Sequence, residues 1–587
     1  GVSADATTTP GSVFTLSTSA ESLTGTANDD TFNAAITYNN TAPTTASTLT
    51  TADVINGGAG TGDRINVVVD GTLDGGATGG GDPVSFVVPT VTNIEKLYIR
   101  NVGTEAAAGD NLTVNVNNVP GLDEIFSDRS TSTLSITNLG AGDVIGINGD
   151  GVTNLGDVLF AYATASSAAT INFTGGTQAA NATDITASDN TRTSATINSS
   201  GAANEADVVT LSAAGTITSL TINATSNLSL GAGNAGDQVA LANGQFGNNA
   251  TITVTGAGAV DLETLGTAVD TIDASGNSGG VTVALDAEVD TTFTGGAGND
   301  TVSTGAALST GSVNAGDGTD KLIVGTTAHL NSATLAGKYT NFETLAITNG
   351  VSIDLDLLSS ITAVEMTDAG GTTALTDLSA TQAGAITLAG LNGAATLGLK
   401  NAGVVGNVDT ATITVSDGDA TASEAISTAG DITMANVENI NFILTDDLIL
   451  DTLANMNEFS TITLSGGGNA QIYAAATGVV INSTIDGSAA TAAMELGAQA
   501  VTGNGMALKG GSGADLIIGS ANADALTGNA GNDTILGGDA SDTIVGGAGN
   551  DTMDGGTGAD VDTMTGGDGA DVFGVDQNGT TTVDVIS

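Results

Sequence analysis

Seven aspartates, Asp515, Asp524, Asp533, Asp542, Asp551, Asp560 and Asp571, stand in a regular series near one end of the 587-residue chain. The first six are nine residues apart, and each is the sixth residue of a unit that opens on glycine, beginning at Gly510. Glycine also recurs at the second and fourth positions, as Gly511, Gly513, Gly531, Gly538, Gly547, Gly549, Gly556 and Gly558, while Asn529 takes the second position of the third unit. Glycine lets the backbone enter positive φ without a Cβ clash, and such a turn aims carbonyl oxygens inward. Carboxylate and carbonyl oxygens together suit a hard cation with flexible coordination, which means calcium before magnesium.

The elements that position these groups follow from the same period. Residues seven to nine of each unit read as a short strand, with Ile517, Leu526, Ile535, Ile544 and Met553 pointing inward. Two units make one coil of a parallel β-roll, the architecture that this nonapeptide signature denotes. Alternate aspartates then stack, with Asp515, Asp533 and Asp551 on one edge and Asp524, Asp542 and Asp560 on the other. Several calcium ions are expected between successive turns. The turns Gly519-Ser520-Ala521-Asn522 and Gly537-Gly538-Asp539-Ala540 lack one or more glycines and are expected to bind more weakly. In the sixth unit, which carries two extra residues, Asp562 competes with Asp560.

Similar turns are scattered upstream. They place Asp30, Asp63, Asp300 and Asp320 as further metal ligands. A second motif, Asn-apolar-Glu, recurs at Asn93-Ile94-Glu95, Asn341-Phe342-Glu343 and Asn436-Val437-Glu438. Asp63 precedes Asn93 by 30 residues, Asp320 precedes Asn341 by 21 and Asp419 precedes Asn436 by 17. This reads as a module of calcium turn, strand, Asn-apolar-Glu turn and strand, whose Asn and Glu cap a coil or satisfy buried backbone groups.

The chain holds 64 acidic residues, 51 of them Asp, against 9 basic ones, for a net charge of −55. Its hydrophobic content of 40% is high enough to fill a core, so the charge does not signal a disordered polyelectrolyte. Self-repulsion at that charge opposes the compact state until cations relieve it. Nucleic acid is excluded as a partner, because the basic footprint it needs is missing. No apolar run is long enough to span a bilayer, and the absence of Cys fits a secreted protein without disulfides. The chain opens on Gly1 with no signal-peptide pattern and closes at Ser587 in what reads as mid-element, as a trimmed chain would.

Between the turns, short segments alternate Thr with Ile or Val, as at 170–173, 196–198, 216–218, 221–223, 251–254, 281–283, 412–415 and 461–464. This period of two predicts half-buried strands, in stacked coils or in small β-sandwich modules. Short helices are expected only at Asp354 to Met366 and Asp447 to Phe459. Catalytic signals are sparse. His329 is the sole histidine and reads as structural, and Ser278 in Gly276-Asn277-Ser278-Gly279-Gly280 fits a nucleophile elbow in letters but lacks its strand–turn–helix context.

The block from Gly510 to Gly574, with the copies at Gly57, Gly295 and Ala315, resembles the RTX repeats of Gram-negative bacteria. That resemblance implies type I secretion and calcium-triggered folding outside the cell, with a secretion signal expected after the last repeats. The Thr/Ala/Asn/Gly-rich body is similar to calcium-dependent surface-layer proteins of the Caulobacter kind. This likeness implies a structural, non-enzymatic protein of the cell surface that assembles with itself into a two-dimensional lattice and meets lipopolysaccharide through a region near or beyond the N-terminus. An RTX adhesin or matrix protein is the alternative, and a secreted hydrolase the remoter one. The expected fold is all-β, with solenoid or sandwich modules and interspersed calcium turns ending in a β-roll. Its segments are 1–66, 67–290, 291–324, 325–504 and 505–587, namely degenerate turns, strand modules, a central RTX pair, further strands and the C-terminal roll.

Overall fold

The computed structural model describes residues 11–587 apart from 40–41, 74–83, 106–110, 178–183, 188, 213, 232–243, 368–370, 391–393, 405–407, 417–425, 429–431, 451–458, 474–482, 500, 502–504, 558–559 and 575–583. The chain divides into two compact units, residues 1–319 and 320–587. Both are built almost wholly of short strands, and within each unit, among the described residues, only the pairing of Thr31–Asn39 with Ala42–Ser47 is antiparallel. Sandwich modules would pair their strands antiparallel. The parallel ladders therefore decide for stacked coils.

Thr, Ile and Val drive this arrangement because a β-branched side chain packs well on a pleated surface. In the first unit one inward column runs through Phe32, Ile65, Leu97, Ile125, Ile145, Ile171, Ile197, Ile222 and Val254, each registered on the next. All nine are fully buried. The segments read as strands in the sequence lie in Ala168–Thr174, Ser194–Ser200, Ile217–Ala224, Phe246–Gly256, Val281–Ala284, Thr410–Val415 and Thr461–Gly466. Ile217–Ala224 merges two of the predicted strands into one.

The second unit carries two such columns. One passes through Ile440, Ile462, Ile485, Leu508, Leu526, Ile544 and Met564, the other through Leu450, Ile472, Leu496, Ile517, Ile535 and Met553. The glycine-rich roll thus extends the same ladders as the strands before it. Each coil buries one side chain per column, and stacking coils converts these single residues into a continuous core, as in other solenoids.

The helix expected at 354–366 does not form. Residues 352–366 run as a strand Ser352–Asp354, a 3-10 turn Leu355–Leu357 and a strand Ala363–Met366. Ile353, Leu355, Leu358, Ile361, Val364 and Met366 are all buried, and their spacing of two or three residues reflects a coil corner. In the other candidate Leu448–Leu450 is a strand, and 451–458 lie outside the described residues. No helix among the described residues is long and apolar enough to cross a membrane.

A truncation test separates core from surface within one strand. Ile535 is fully buried while its neighbour Leu536 is 36% exposed. In saturating calcium Ile535→Ala is expected to cost about 2–5 kcal/mol and Leu536→Ala about 0.5 kcal/mol or less, read from denaturant midpoints of the two variants.

Candidate metal centre

In the C-terminal roll, every aspartate of one edge binds the backbone of the coil before it. The Asp533 Oδ1 accepts the Asp515 N–H at 2.8 Å, Asp551 accepts from Asp533 at 2.9 Å and Asp571 from Asp551 at 3.0 Å. Asp515 begins the series by accepting from Met494 at 2.7 Å. On the other edge Asp524 accepts from Met506 at 2.6 Å, Asp542 from Asp524 at 2.8 Å and Asp562 from Asp542 at 2.8 Å. Asp584 closes this edge on the Asp562 N–H at 3.2 Å.

The rung after Asp542 therefore belongs to Asp562. Asp560 is exposed, and Asp562 is 6% exposed. The two extra residues of the sixth unit lengthen that coil from 18 to 20 residues, so the period points to Asp560 while the ladder reaches Asp562. Gly558 lies outside the described residues.

The second carboxylate oxygen is the informative one. Oδ2 of Asp533, Asp542 and Asp551 is buried and accepts no hydrogen bond. An orphaned buried carboxylate oxygen is costly. Its surroundings show what would satisfy it. A Cβ on Gly528 would overlap Asp533 Oδ2 and lie 2.6 Å from the Gly546 carbonyl oxygen. Gly537 has the same relation to Asp542 Oδ2 and the Gly555 carbonyl, and Gly546 to Asp551 Oδ2 and the Gly566 carbonyl. Each first-position glycine thus keeps open a slot between a carboxylate of its own turn and a carbonyl one coil later. Among the described residues no three His, Cys, Asp or Glu side chains converge as a metal-holding group. A cation here takes carbonyl as well as carboxylate oxygens, a mixed set that calcium accepts.

Positive φ falls on the second and fourth positions, at Gly531, Gly538, Gly547, Gly549 and Gly556. Asn529 and Ala540 adopt it as well, both at φ 73°, a conformation that asparagine tolerates and alanine resists. Gly511 and Gly513 lie outside that region, and their glycine is required by space: a Cβ on either would come within 2.5 Å of residues 490 or 492. In the glycine-poor turn Ser520 donates both its N–H, at 2.6 Å, and its hydroxyl, at 2.9 Å, to Asp524 Oδ2. That oxygen is already satisfied.

The upstream aspartates occupy related settings. Asp30 is fully buried and accepts from Ser12 N–H and Thr26 N–H, both at 2.5 Å. Its own N–H donates to Asp63 Oδ1 at 2.6 Å. Asp300 accepts from Val281 N–H at 2.6 Å and Gly296 N–H at 3.2 Å. Asp320, also buried, donates its N–H to Glu343 Oε2 at 2.8 Å. The Asn-apolar-Glu turns do satisfy backbone groups, but Asp409, not Asp419, is the partner of Glu438, at 2.8 Å; Asp419 lies outside the described residues. The Glu rung was readable in sequence only as a recurring motif, since its 23–32-residue reach follows no fixed period.

The residues with letter-level catalytic signals have other settings. Ser278 follows the strand Val269–Asn277 and precedes the strand Val281–Ala284, so the turn enters no helix. His329 ends the 3-10 turn Thr327–His329, half-buried, and burial lowers its pKa.

Two predictions follow from the slot. Gly528→Ala is expected to raise the calcium needed for the β signal of the roll about tenfold or more, whereas Gly142→Ala, with nothing within 4 Å of its added methyl, leaves it unchanged in a circular-dichroism titration. The second concerns protons. Burial, followed by the charges of neighbouring aspartates, raises Asp533 to about 6 and Asp542 to about 7 from 3.8. A raised carboxyl pKa means that the folded state binds protons more tightly than the unfolded one, so metal-free stability falls as pH rises from about 4 to about 7. In EGTA the thermal midpoint of the roll is expected to climb between pH 8 and pH 5; in calcium, which competes with those protons, the climb is expected to vanish.

Residues 290–307, 507–535, 527–561 and 536–573 match the RTX calcium-binding nonapeptide repeat, in four copies. A comparison with curated proteins returns no match. The N-terminal turns around Asp30 and Asp63 lie outside the matched stretches. The chain carries calcium-binding RTX repeats folded as a parallel β-roll, and such repeats imply a secreted protein that works where calcium is plentiful.

Proposed function

We propose that this is a structural cell-surface protein that folds on meeting calcium and then assembles with itself into a two-dimensional lattice. The buried, orphaned Oδ2 atoms of Asp533, Asp542 and Asp551 carry the reading. They make the folded roll conditional on a cation, so metal affinity becomes folding energy. At low free calcium, aspartate repulsion and the entropy of the glycines hold the repeats open, a state suited to export through a narrow channel. Millimolar calcium outside lies in the range of weak extracellular sites.

In this reading the metal ligands are the carboxylates of Asp515, Asp524, Asp533, Asp542, Asp551, Asp562 and Asp571 with the glycine-turn carbonyls that face them, and Asp515 and Asp524, whose Oδ2 atoms accept hydrogen bonds from Gly511 and Ser520, bind more weakly. Asp30, Asp63, Asp300 and Asp320 extend the same chemistry upstream. Anchoring to lipopolysaccharide near the N-terminus completes the proposal. Catalysis has no part in it, which agrees with the strand–turn–strand setting of Ser278.

Electron microscopy of the purified chain tests the assembly. Ordered sheets are expected in millimolar calcium and dispersed particles in EGTA; folded particles that form no sheet at any calcium concentration would instead support an adhesin or matrix protein.

A further inference from the structure

The turn Asn93-Ile94-Glu95 contains no glycine, yet it meets Asp63 as another RTX unit would. Asp63 is fully buried, and its Oδ1 accepts the N–H of an aspartate one coil earlier, Asp30, at 2.6 Å. Its own N–H donates to a carboxylate one coil later, Glu95 Oε2, at 2.9 Å. Its Oδ2 is buried without a partner. A Cβ on Gly57 would lie 2.7 Å from that Oδ2 and would overlap the Asn93 carbonyl oxygen. Each of these features is shared with Asp533, Asp542 and Asp551. The Asn93 carbonyl stands where the Gly546 carbonyl stands beside Asp533.

Asparagine replaces glycine here by tolerating the left-handed conformation. Asn93 has φ 50°, and Asn341 and Asn436 in the sister turns have φ 60° and 59°. The Asn93 Nδ2 donates to Asn56 Oδ1 at 2.9 Å, and that oxygen also accepts the Gly58 N–H at 3.1 Å, which ties the two turns together. Glutamate, one methylene longer than aspartate, spans to the Asp63 N–H from a turn of different shape.

We propose that the turns 57–63 and 93–95 hold a calcium ion between them, with Asp63 Oδ2 and the Asn93 carbonyl as ligands and Glu95 as the positioning residue that fixes the Asp63 backbone. The site rests on the calcium reading of the C-terminal roll and adds a half-site that no nonapeptide supplies.

Calcium counting by native mass spectrometry of the full chain, with peptide-resolved hydrogen exchange across a calcium titration, tests it. Asp63→Asn is expected to remove one ion and to raise at least tenfold the calcium that protects peptides 54–69 and 91–99, while residues 510–574 respond as before. Glu95→Gln keeps an acceptor for the Asp63 N–H and is expected to retain the ion; loss of the ion there would make Glu95 a ligand and overturn its positioning role. An unchanged count in Asp63→Asn beside a reduced count in Asp533→Asn overturns this site alone. An unchanged count in both overturns the calcium reading of the roll. Should Asp63→Asn not fold, the unaltered chain decides: protection of peptides 54–69 that is equal in EGTA and calcium, while residues 510–574 respond, overturns the site.

Discussion

A buried carboxylate that is half satisfied governs this molecule. In each glycine turn one aspartate oxygen accepts a backbone N–H from the neighbouring coil, which fixes the spacing of the coils. The other oxygen of Asp63, Asp533, Asp542 and Asp551 faces a carbonyl and accepts no hydrogen bond. Among the described residues no ion pair joins a basic side chain to these four aspartates. The chain has nine basic residues, and Lys96, Arg129, Lys321, Lys400 and Lys509 are engaged in partly exposed ion pairs with Glu124, Asp128, Glu365, Asp356 and Asp486. Pairs of that kind contribute little to stability. The repeats are calcium-binding, and calcium would supply the positive charge with no demand for strict geometry.

The polar ladder and the apolar columns are two faces of one register. When Asp533 Oδ1 meets the Asp515 N–H, Ile535 comes into register with Ile517, because the aspartate precedes the inward side chain by two residues in both coils. Cation binding and core packing are consequently coupled. A turn that loses its cation loosens the rung, and a loosened rung releases the column residue beside it.

Much of this was legible in the sequence, and the exceptions have physical causes. The nonapeptide announced the roll because each of its positions is fixed by a separate demand: space at Gly528, positive φ at Gly531, charge at Asp533 and apolarity at Ile535. The Thr-Ile alternation announced the strands. Spacing alone did not tell stacked coils from sandwiches, since both bury every second residue. The helix expected at 354–366 failed because three successive intervals of three, from Leu355 to Val364, imitate helical periodicity while tracing a corner. The hydrogen-bonded rung at Asp562, two residues past the periodic Asp560, has a similar cause, as a period counted along the chain does not register an insertion that the coil absorbs.

Coil length explains why the repeat fades in sequence sooner than in space. From rung to rung the roll uses 18 residues at Asp515 to Asp533, but 33 separate Asp30 from Asp63 and 32 separate Asp63 from Glu95. Asp320 and Glu343 are 23 apart, Asp409 and Glu438 29 apart. The ladder constrains only the rung and the few strand residues that follow it. Anything between can lengthen at small cost, since loop-closure entropy grows slowly with length. A tight nonapeptide coil leaves no room for such excursions. Elsewhere both kinds of rung admit them: Asp63 closes a coil of 33 residues, and Glu95, Glu343 and Glu438 close coils of 32, 23 and 29. One ladder thus serves coils of 18 to 33 residues with two kinds of rung.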